Sequence, residues 1–244
     1  MMSFLKARVK TVLPESSLGL YRSARQHISR AVLRLRPYST LSPIERFRRD
    51  GYADLITKNL GLNAASVVLD FGGYVGNYTA TISDRYQSQI HVFEPVPEFF
   101  TVLQARFENQ NNITLHEYGV AEGDDVRTFG VSADGTGAFA EGAGVSVSFR
   151  SADYLAEAMP PLIDLMAVNI EGGEYELIPA LDRVGLLART NRIFVQFHRV
   201  GPDPIGDRAS CRRLLQATHT CIWSYDFVWE AWLRKKHADP ICST

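Results

Sequence analysis

Apolar and polar positions along this chain follow two periods. Short apolar runs recur at Val67–Phe71, Ile90–Phe93, Ile163–Val168 and Ile193–Phe197, with helix-spaced segments between them. Runs of that kind are strands covered on both faces. The pattern predicts strands at 66–71, 89–94, 113–118, 163–170 and 193–197. It predicts helices at 77–85, 98–109, 151–159 and 209–217. Pro160-Pro161 end the third helix, and Pro179 should kink or restart the helix that follows Glu174. Residues 201–207 read as a Pro/Gly loop, and 220–232 as a closing antiparallel hairpin. Alternating strands and helices with buried strands give an α/β class: a Rossmann-like, doubly wound, mostly parallel sheet with an antiparallel final strand. Residues 122–145 are rich in Gly, Asp, Ala and Ser. They fit either a hairpin pairing 126–131 with 145–149 or a loop over the site.

Upstream, Ser42-Pro43-Ile44-Glu45 is a strong helix start, with Ser42 as N-cap and Glu45 as its reciprocal partner. That helix should run to Asn59 or Leu60, with Gly61 as its C-cap. Before it, Tyr21, Ala24, Ile28, Ala31, Val32 and Leu35 recur at helical spacing among arginines, and Pro37 closes the segment. The expected organisation is a basic, partly helical N-terminal extension over 1–41 and one domain over 42–244.

Composition changes the picture little. The 244 residues are 45% hydrophobic and 22% charged, with net charge −1, as in ordinary globular domains. No apolar run reaches a membrane span, and no signal-peptide pattern opens the chain. Cys211, Cys221 and Cys242 form no C-x-x-C, which argues against a zinc site or disulfide framework and for a reducing, cytoplasmic setting. Charge is uneven. The first 50 residues carry eleven Lys or Arg against Glu15, Glu45 and Asp50, a net of +8, leaving −9 for the rest. Such asymmetry can mark an arm facing nucleic acid or membrane. The amphipathic pattern favours packing on the chain's own domain or on a second copy in a homodimer. A peripheral contact with the inner membrane surface is the alternative. Nucleic acid is not an expected partner.

The candidate chemistry centres on Val67 to Thr79: a strand, a glycine-rich turn, then a helix start. Asp70 ends the strand, and Gly72, Gly73 and Gly76 permit close approach of a ligand. Ligands of open parallel sheets bind at the strands' carboxyl ends, where strand order reverses. No G-x-G-x-x-G and no phosphate-binding G-x-x-x-x-G-K-[ST] is present, which disfavours a nicotinamide-dependent oxidoreductase. An acid two residues before the first glycine suits a cationic ligand such as the amino-acid end of S-adenosylmethionine. Glu94, 18 residues beyond Gly76, ends the next strand where a carboxylate can accept ribose hydroxyls.

Asp70-x-Gly72-x-x-x-Gly76, Phe93-Glu94-Pro95-x-Pro97, Asp164-Leu165 and Ile170-Glu171-Gly172-Gly173-Glu174 together resemble the FkbM family of S-adenosylmethionine-dependent methyltransferases, over roughly residues 65 to 200. The family pattern runs D-x-G-A-N-x-G, F-E-P-x-P, D-L-x-K-x-D-x-E-G-x-E. Here Gly73-Tyr74 stand for Ala-Asn, Ala167 for Lys and Asn169 for Asp. The resemblance implies an S-adenosylmethionine cofactor and O-methylation of a hydroxyl on a sugar, glycan or other small natural product. The cofactor set is then Asp70, Gly72, Gly73, Tyr74, Gly76, Glu94 and Pro95, with Gly119 and Val120 flanking the adenine. Reaction-end residues come from the exits of the fourth and fifth strands: Asn169, Glu171, Glu174 and His198. His198 suits a base because imidazole titrates near neutrality; Glu174 equally suits a helix N-terminus. Asn169 weighs against a magnesium site. A non-catalytic S-adenosylmethionine-binding module is the rival reading, because the Lys and Asp are replaced.

Overall fold

In the computed structural model the described residues are 33–132, 135–137 and 144–235. The expected basic helix before Pro37 lies almost wholly outside them. The described residues divide into two units, one ending at Leu55 and one beginning at Ile56.

In the first, the Ser42 cap forms as its sequence demands. The Ser42 N–H and hydroxyl both donate to Glu45 Oε2 at 2.9 Å, and α1 runs Pro43–Arg49. The single helix expected to reach Leu60 is two, because Gly51 takes a left-handed φ of 87°. A second helix, α2, follows at Tyr52–Thr57.

The second unit is built on β1 (Val67–Phe71), α3 (Asn77–Tyr86), β2 (Gln89–Phe93), α4 (Pro97–Phe107) and β3 (Ile113–His116). Next come β4 (Gly119–Ala121), β5 (Asp125–Ser132), β6 (Gly135–Gly137), β7 (Gly144–Ser151) and α5 (Ala152–Ala158). The chain continues through β8 (Ile163–Val168), α6 (Glu174–Arg183), β9 (Thr190–Val195), α7 (Pro204–Thr218), β10 (His219–Tyr225) and β11 (Trp229–Arg234). The main sheet has seven strands in the order β10-β11-β9-β8-β1-β2-β3. Its β9-β8-β1-β2-β3 part is parallel, and β11 runs antiparallel to both β9 and β10. This is the Rossmann-like, doubly wound sheet with an antiparallel edge that the pattern predicts. Strand order reverses between β1 and β8, so the crevice at their carboxyl ends is the expected ligand position.

Strand parity splits the core. Leu69, Phe71, Met166, Val168, Ile193 and Val195 pack with residues of α5, α6 and α7 on one face. Val68, Ile90, Val92, Leu165 and Phe194 pack with Ile82 of α3 and Leu103 and Phe107 of α4 on the other. Of the tryptophans, Trp232 is fully buried, while Trp223 and Trp229 pack against the second cluster.

Three local expectations differ. Pro179 lies inside α6 without ending it. The helix after β9 starts at Pro204 rather than after the Pro/Gly segment, because Asp203 caps it by accepting the Gly206 N–H at 3.0 Å. Strand β3 ends at His116, and Gly119–Ala121 joins a second sheet, β4-β7-β5-β6. Within that sheet β5 and β7 pair antiparallel from Asp125↔Phe149 to Gly130↔Gly144, the hairpin alternative for 122–145. Among the described residues no helix is long and apolar enough to cross a membrane.

Candidate active site

A cavity of about 630 Å³ opens at the β1/β8 reversal. Its walls are the exits of β1, β2 and β8, the start of α6 and the β5–β7 hairpin. Of the residues singled out in the sequence, Gly72, Tyr74, Glu94, Pro95, Gly119, Val120, Asn169 and Glu171 line it. Asp70, Gly73, Gly76, Glu174 and His198 do not.

The turn after β1 is held from below by its neighbours. The Gly72 N–H donates to the Phe93 carbonyl at 2.9 Å, and the Asn169 N–H to the Phe71 carbonyl at 3.0 Å. Gly72 has φ +91°, and a Cβ there would lie 2.1 Å from the Asn169 carbonyl oxygen. Only glycine lets β1 and β8 exits come this close. A Cβ on Gly76 would meet the Phe107 ring at 2.6 Å and one on Gly73 would meet Val92 at 2.4 Å. Those two glycines therefore serve helix and strand packing.

Asp70 faces away from the cavity. Its Oδ2 accepts the Thr79 hydroxyl of α3 at 2.5 Å. Its register partners are Val92 and Ala167, both apolar. Burial pushes its carboxyl up to about 7; the Thr79 bond opposes this and the Glu94 charge adds to it. Strand parity explains the direction: Phe71 takes the cavity face, so Asp70 takes the α3 face.

Glu94 is buried, yet it borders the cavity. Its Oε2 accepts the Tyr74 N–H at 2.8 Å and its Oε1 the Val96 N–H at 3.0 Å. Each oxygen keeps one lone pair. Burial holds its carboxyl above the ordinary range, against the pull of the two amides. Tyr74 itself takes a left-handed φ of 49° and packs edge-on against Phe99 at 4.5 Å.

At the other end, Asn169 Oδ1 is a buried oxygen without a hydrogen-bond partner. Glu174 enters α6 fully buried, as the helix-start reading expects. Its Oε1 accepts from the Ile170 N–H at 3.1 Å and its Oε2 from the Gly172 N–H at 3.0 Å. His198 Nδ1 lies 2.8 Å from Glu174 Oε1, and its Nε2 lies 3.5 Å from Glu171 Oε2. Burial lowers the imidazole's proton affinity, but the Glu174 bond and the charges of Glu174 and Glu171 outweigh it and hold the pKa above its ordinary value.

The hairpin is one of the two readings of 122–145, but the sequence does not single out the residues through which it walls the cavity. Arg127 of β5 grips Glu176 of α6 with two bonds, at 2.6 and 2.7 Å, and lies 4.5 Å over the Phe149 ring. Phe149 fills the space beside Gly119, where a Cβ would stand 2.5 Å from its ring. An Arg and a Glu 49 positions apart carry no sequence signal of pairing. Asp164, part of the motif, is structural: it accepts the Val67 N–H at 2.9 Å at the start of β1. His91, His116 and His219 are structural too, bonded at 2.9–3.2 Å to one another, to Tyr118 or to the Thr190 carbonyl.

No protein-family model and no curated protein matches the chain. Among solved structures it is similar to the FkbM methyltransferase of Methylobacillus flagellatus KT, with TM-score 0.50 and 16% identity over 82% of this chain and 48% of that one. The chain thus spans about half the length of that protein. It is also similar to an rRNA methylase of Streptococcus thermophilus (TM-score 0.45, 12% identity, 80% of this chain and 98% of that one). A third likeness is the precorrin-6y C5,15-methyltransferase of Geobacter metallireducens GS-15 (TM-score 0.43, 14% identity, 74% and 86%). The fold is that of the Rossmann-like methyltransferases.

Proposed function

We propose that the chain is an S-adenosylmethionine-dependent methyltransferase acting in the cytoplasm on a hydroxyl of a sugar, glycan or other small natural product. The acceptor class follows from the FkbM resemblance, and the observation that carries the cofactor is the Glu94 carboxylate: desolvated, fixed by two backbone amides, and bordering the cavity with a spare lone pair on each oxygen. That is the donor-hungry geometry a ribose diol satisfies. The unpartnered Asn169 Oδ1 and the Asp207 carboxylate also fit a ligand bearing an ammonium and a sulfonium. When bound, the cofactor supplies an electrophilic methyl group. Gly72 keeps the β1 exit open beside it, and Val120 and Phe149 offer apolar contact to the adenine. Holding the acceptor aligned supplies roughly 7–11 kcal/mol of the barrier, and general base catalysis a further factor of about 10²–10⁴. Glu171 and His198 supply the base chemistry.

In this reading residues 1–41 are an appendage, and a chain starting at Ser42 folds and binds cofactor. Calorimetry with S-adenosylhomocysteine against NAD tests the cofactor. Labelled-methyl turnover over a panel of hydroxylated acceptors, with an RNA arm, tests the reaction. Binding of S-adenosylhomocysteine without turnover on any acceptor would favour the non-catalytic module.

A further inference from the structure

We propose that Glu171 takes the acceptor's proton and that His198 and Glu174 form a relay behind it; this rests on the methyltransferase reading above. The three side chains form a graded series from cavity to core. Their exposures fall from 52% for Glu171 to 15% for His198 and 0% for Glu174. Of the three, Glu171 alone lines the cavity. A base must reach the proton it removes, so position assigns that step to Glu171 rather than to the imidazole.

The backbone supports the assignment. Glu171 takes a left-handed φ of 50°, a conformation that costs a non-glycine residue energy and persists where its surroundings enforce it. Glu174 enforces it. Its two oxygens accept the N–H groups of Ile170 and Gly172, one on each side of Glu171. Glu174 Oε1 also faces His198 Nδ1 at 2.8 Å. A carboxylate there selects the tautomer with the proton on Nδ1. That leaves the Nε2 lone pair toward Glu171, with the Gln196 amide nitrogen 3.3 Å away as its donor. The ring is further fixed because the Tyr175 hydroxyl donates to the His198 carbonyl. The groups facing His198 are thus Glu171 from the β8 exit, Glu174 and Tyr175 from α6, and Gln196 from the β9 exit. The Cys211 thiol of α7 lies behind Glu174.

The step balances simply. The acceptor O–H bond breaks, its proton bonds to the Glu171 carboxylate, and the electron pair stays on the acceptor oxygen as the nucleophile. The proton then passes from Glu171 to His198 Nε2. The imidazolium so formed lies between two carboxylates. His198 and Glu174 act through Glu171 and are positioning residues.

The test uses the full chain with ¹⁵N-labelled histidine. NMR of His198 should show the Nδ1-protonated tautomer when neutral, with a pKa above that of a free imidazole. Glu174→Gln and Glu171→Gln should each lower that pKa; the second, at an exposed site, keeps the test valid if the first unfolds. In turnover, Glu171→Gln should lose about 10²–10⁴-fold in kcat, with S-adenosylhomocysteine affinity unchanged. His198→Gln should lose less and shift the pH profile. An Nε2-protonated tautomer, a pKa unmoved by either Glu variant, or a His198→Gln loss as large as that of Glu171→Gln would overturn the relay. Absence of S-adenosylhomocysteine binding would instead sink the methyltransferase reading itself.

Discussion

The Thr79 hydroxyl donates to the Asp70 carboxylate at 2.5 Å, on the sheet face opposite the one that Phe71 packs. Asp70 is therefore a buried acid with one neutral donor, and its pKa is pushed up to about 7 from 3.8 by burial. A raised carboxyl pKa stabilises the fold fully below the unfolded value, and that contribution is lost as pH rises through 7. Over that range the unfolded chain releases the proton while the folded chain keeps it. The loss is on the order of 4 kcal/mol. His116 acts in the opposite sense. Burial and neighbouring His91 lower its pKa to about 4, so it destabilises the fold as pH falls below 6.5. The two slopes oppose each other, so the wild-type curve alone does not isolate Asp70. Asp70→Asn does: its denaturant stability relative to wild type should climb between pH 4 and 8. A difference that stays constant with pH refutes the buried-acid account.

Glu94→Ala should weaken S-adenosylhomocysteine binding by removing two charge-assisted hydrogen bonds of about 1.5–3 kcal/mol each. The substitution also frees the Tyr74 and Val96 amides, so part of the effect is a loosened turn. Glu94→Gln, which keeps one acceptor oxygen, should fall between Ala and wild type. Calorimetry measures both, and unchanged affinity in Glu94→Ala removes Glu94 from the ribose role.

Much of this fold can be read from apolar runs, because strands buried on both faces leave little ambiguity. The same simplicity hides direction. Asp70 and Glu94 look alike as acids near strand ends. Asp70 is the fourth residue of β1, inside the pleat, while Glu94 lies one past the end of β2, beyond it. Parity sends Asp70 to α3, and the loop turns Glu94 to the cavity. Ala167, where the FkbM pattern has Lys, is the register partner of Asp70, so that departure bears on the turn's electrostatics rather than on the reaction end. The break at Gly51 escaped because Phe47, Leu55 and Ile56 continue the helical period across it. The start of α7 escaped because Asp203-Pro204, a cap and a first-turn proline, resembles loop composition.

Gly72→Ala should be severely destabilising, well beyond the roughly 1–3 kcal/mol of a left-handed backbone penalty alone. The added Cβ would stand 2.1 Å from the Asn169 carbonyl oxygen, a backbone atom that cannot give way without separating β1 from β8. Gly61→Ala provides the control. It has a similar φ of +72° with nothing within 4 Å of the new Cβ, so it should cost about 1 kcal/mol. Equal thermal shifts for the two variants would show that close approach at the site is not what Gly72 supplies.

Arg127 and Glu176 tie the β5–β7 hairpin to α6 across one wall of the cavity. The pair is bidentate, at 2.6 and 2.7 Å, but its side chains are 32% and 40% exposed. Screening limits the coupling to about 1 kcal/mol, decreasing with added salt. The Arg127 bond holds the Glu176 carboxyl below the ordinary range. A depressed carboxyl pKa keeps the pair's contribution above the unfolded value and loses it only as pH falls through the folded one. A double-mutant cycle over Arg127→Ala and Glu176→Ala should therefore give the same coupling from pH 6 to 8. Arg127 also covers the Phe149 ring at 4.5 Å, so its loss frees the residue that closes over Gly119. Each 1.4 kcal/mol is about tenfold in rate or affinity. Arg127→Ala should speed S-adenosylhomocysteine dissociation by several-fold while leaving global stability nearly unchanged, as stopped-flow and thermal melts can measure. A zero coupling with unaltered dissociation would mean that the hairpin is held by its strand pairing and that the clamp is incidental.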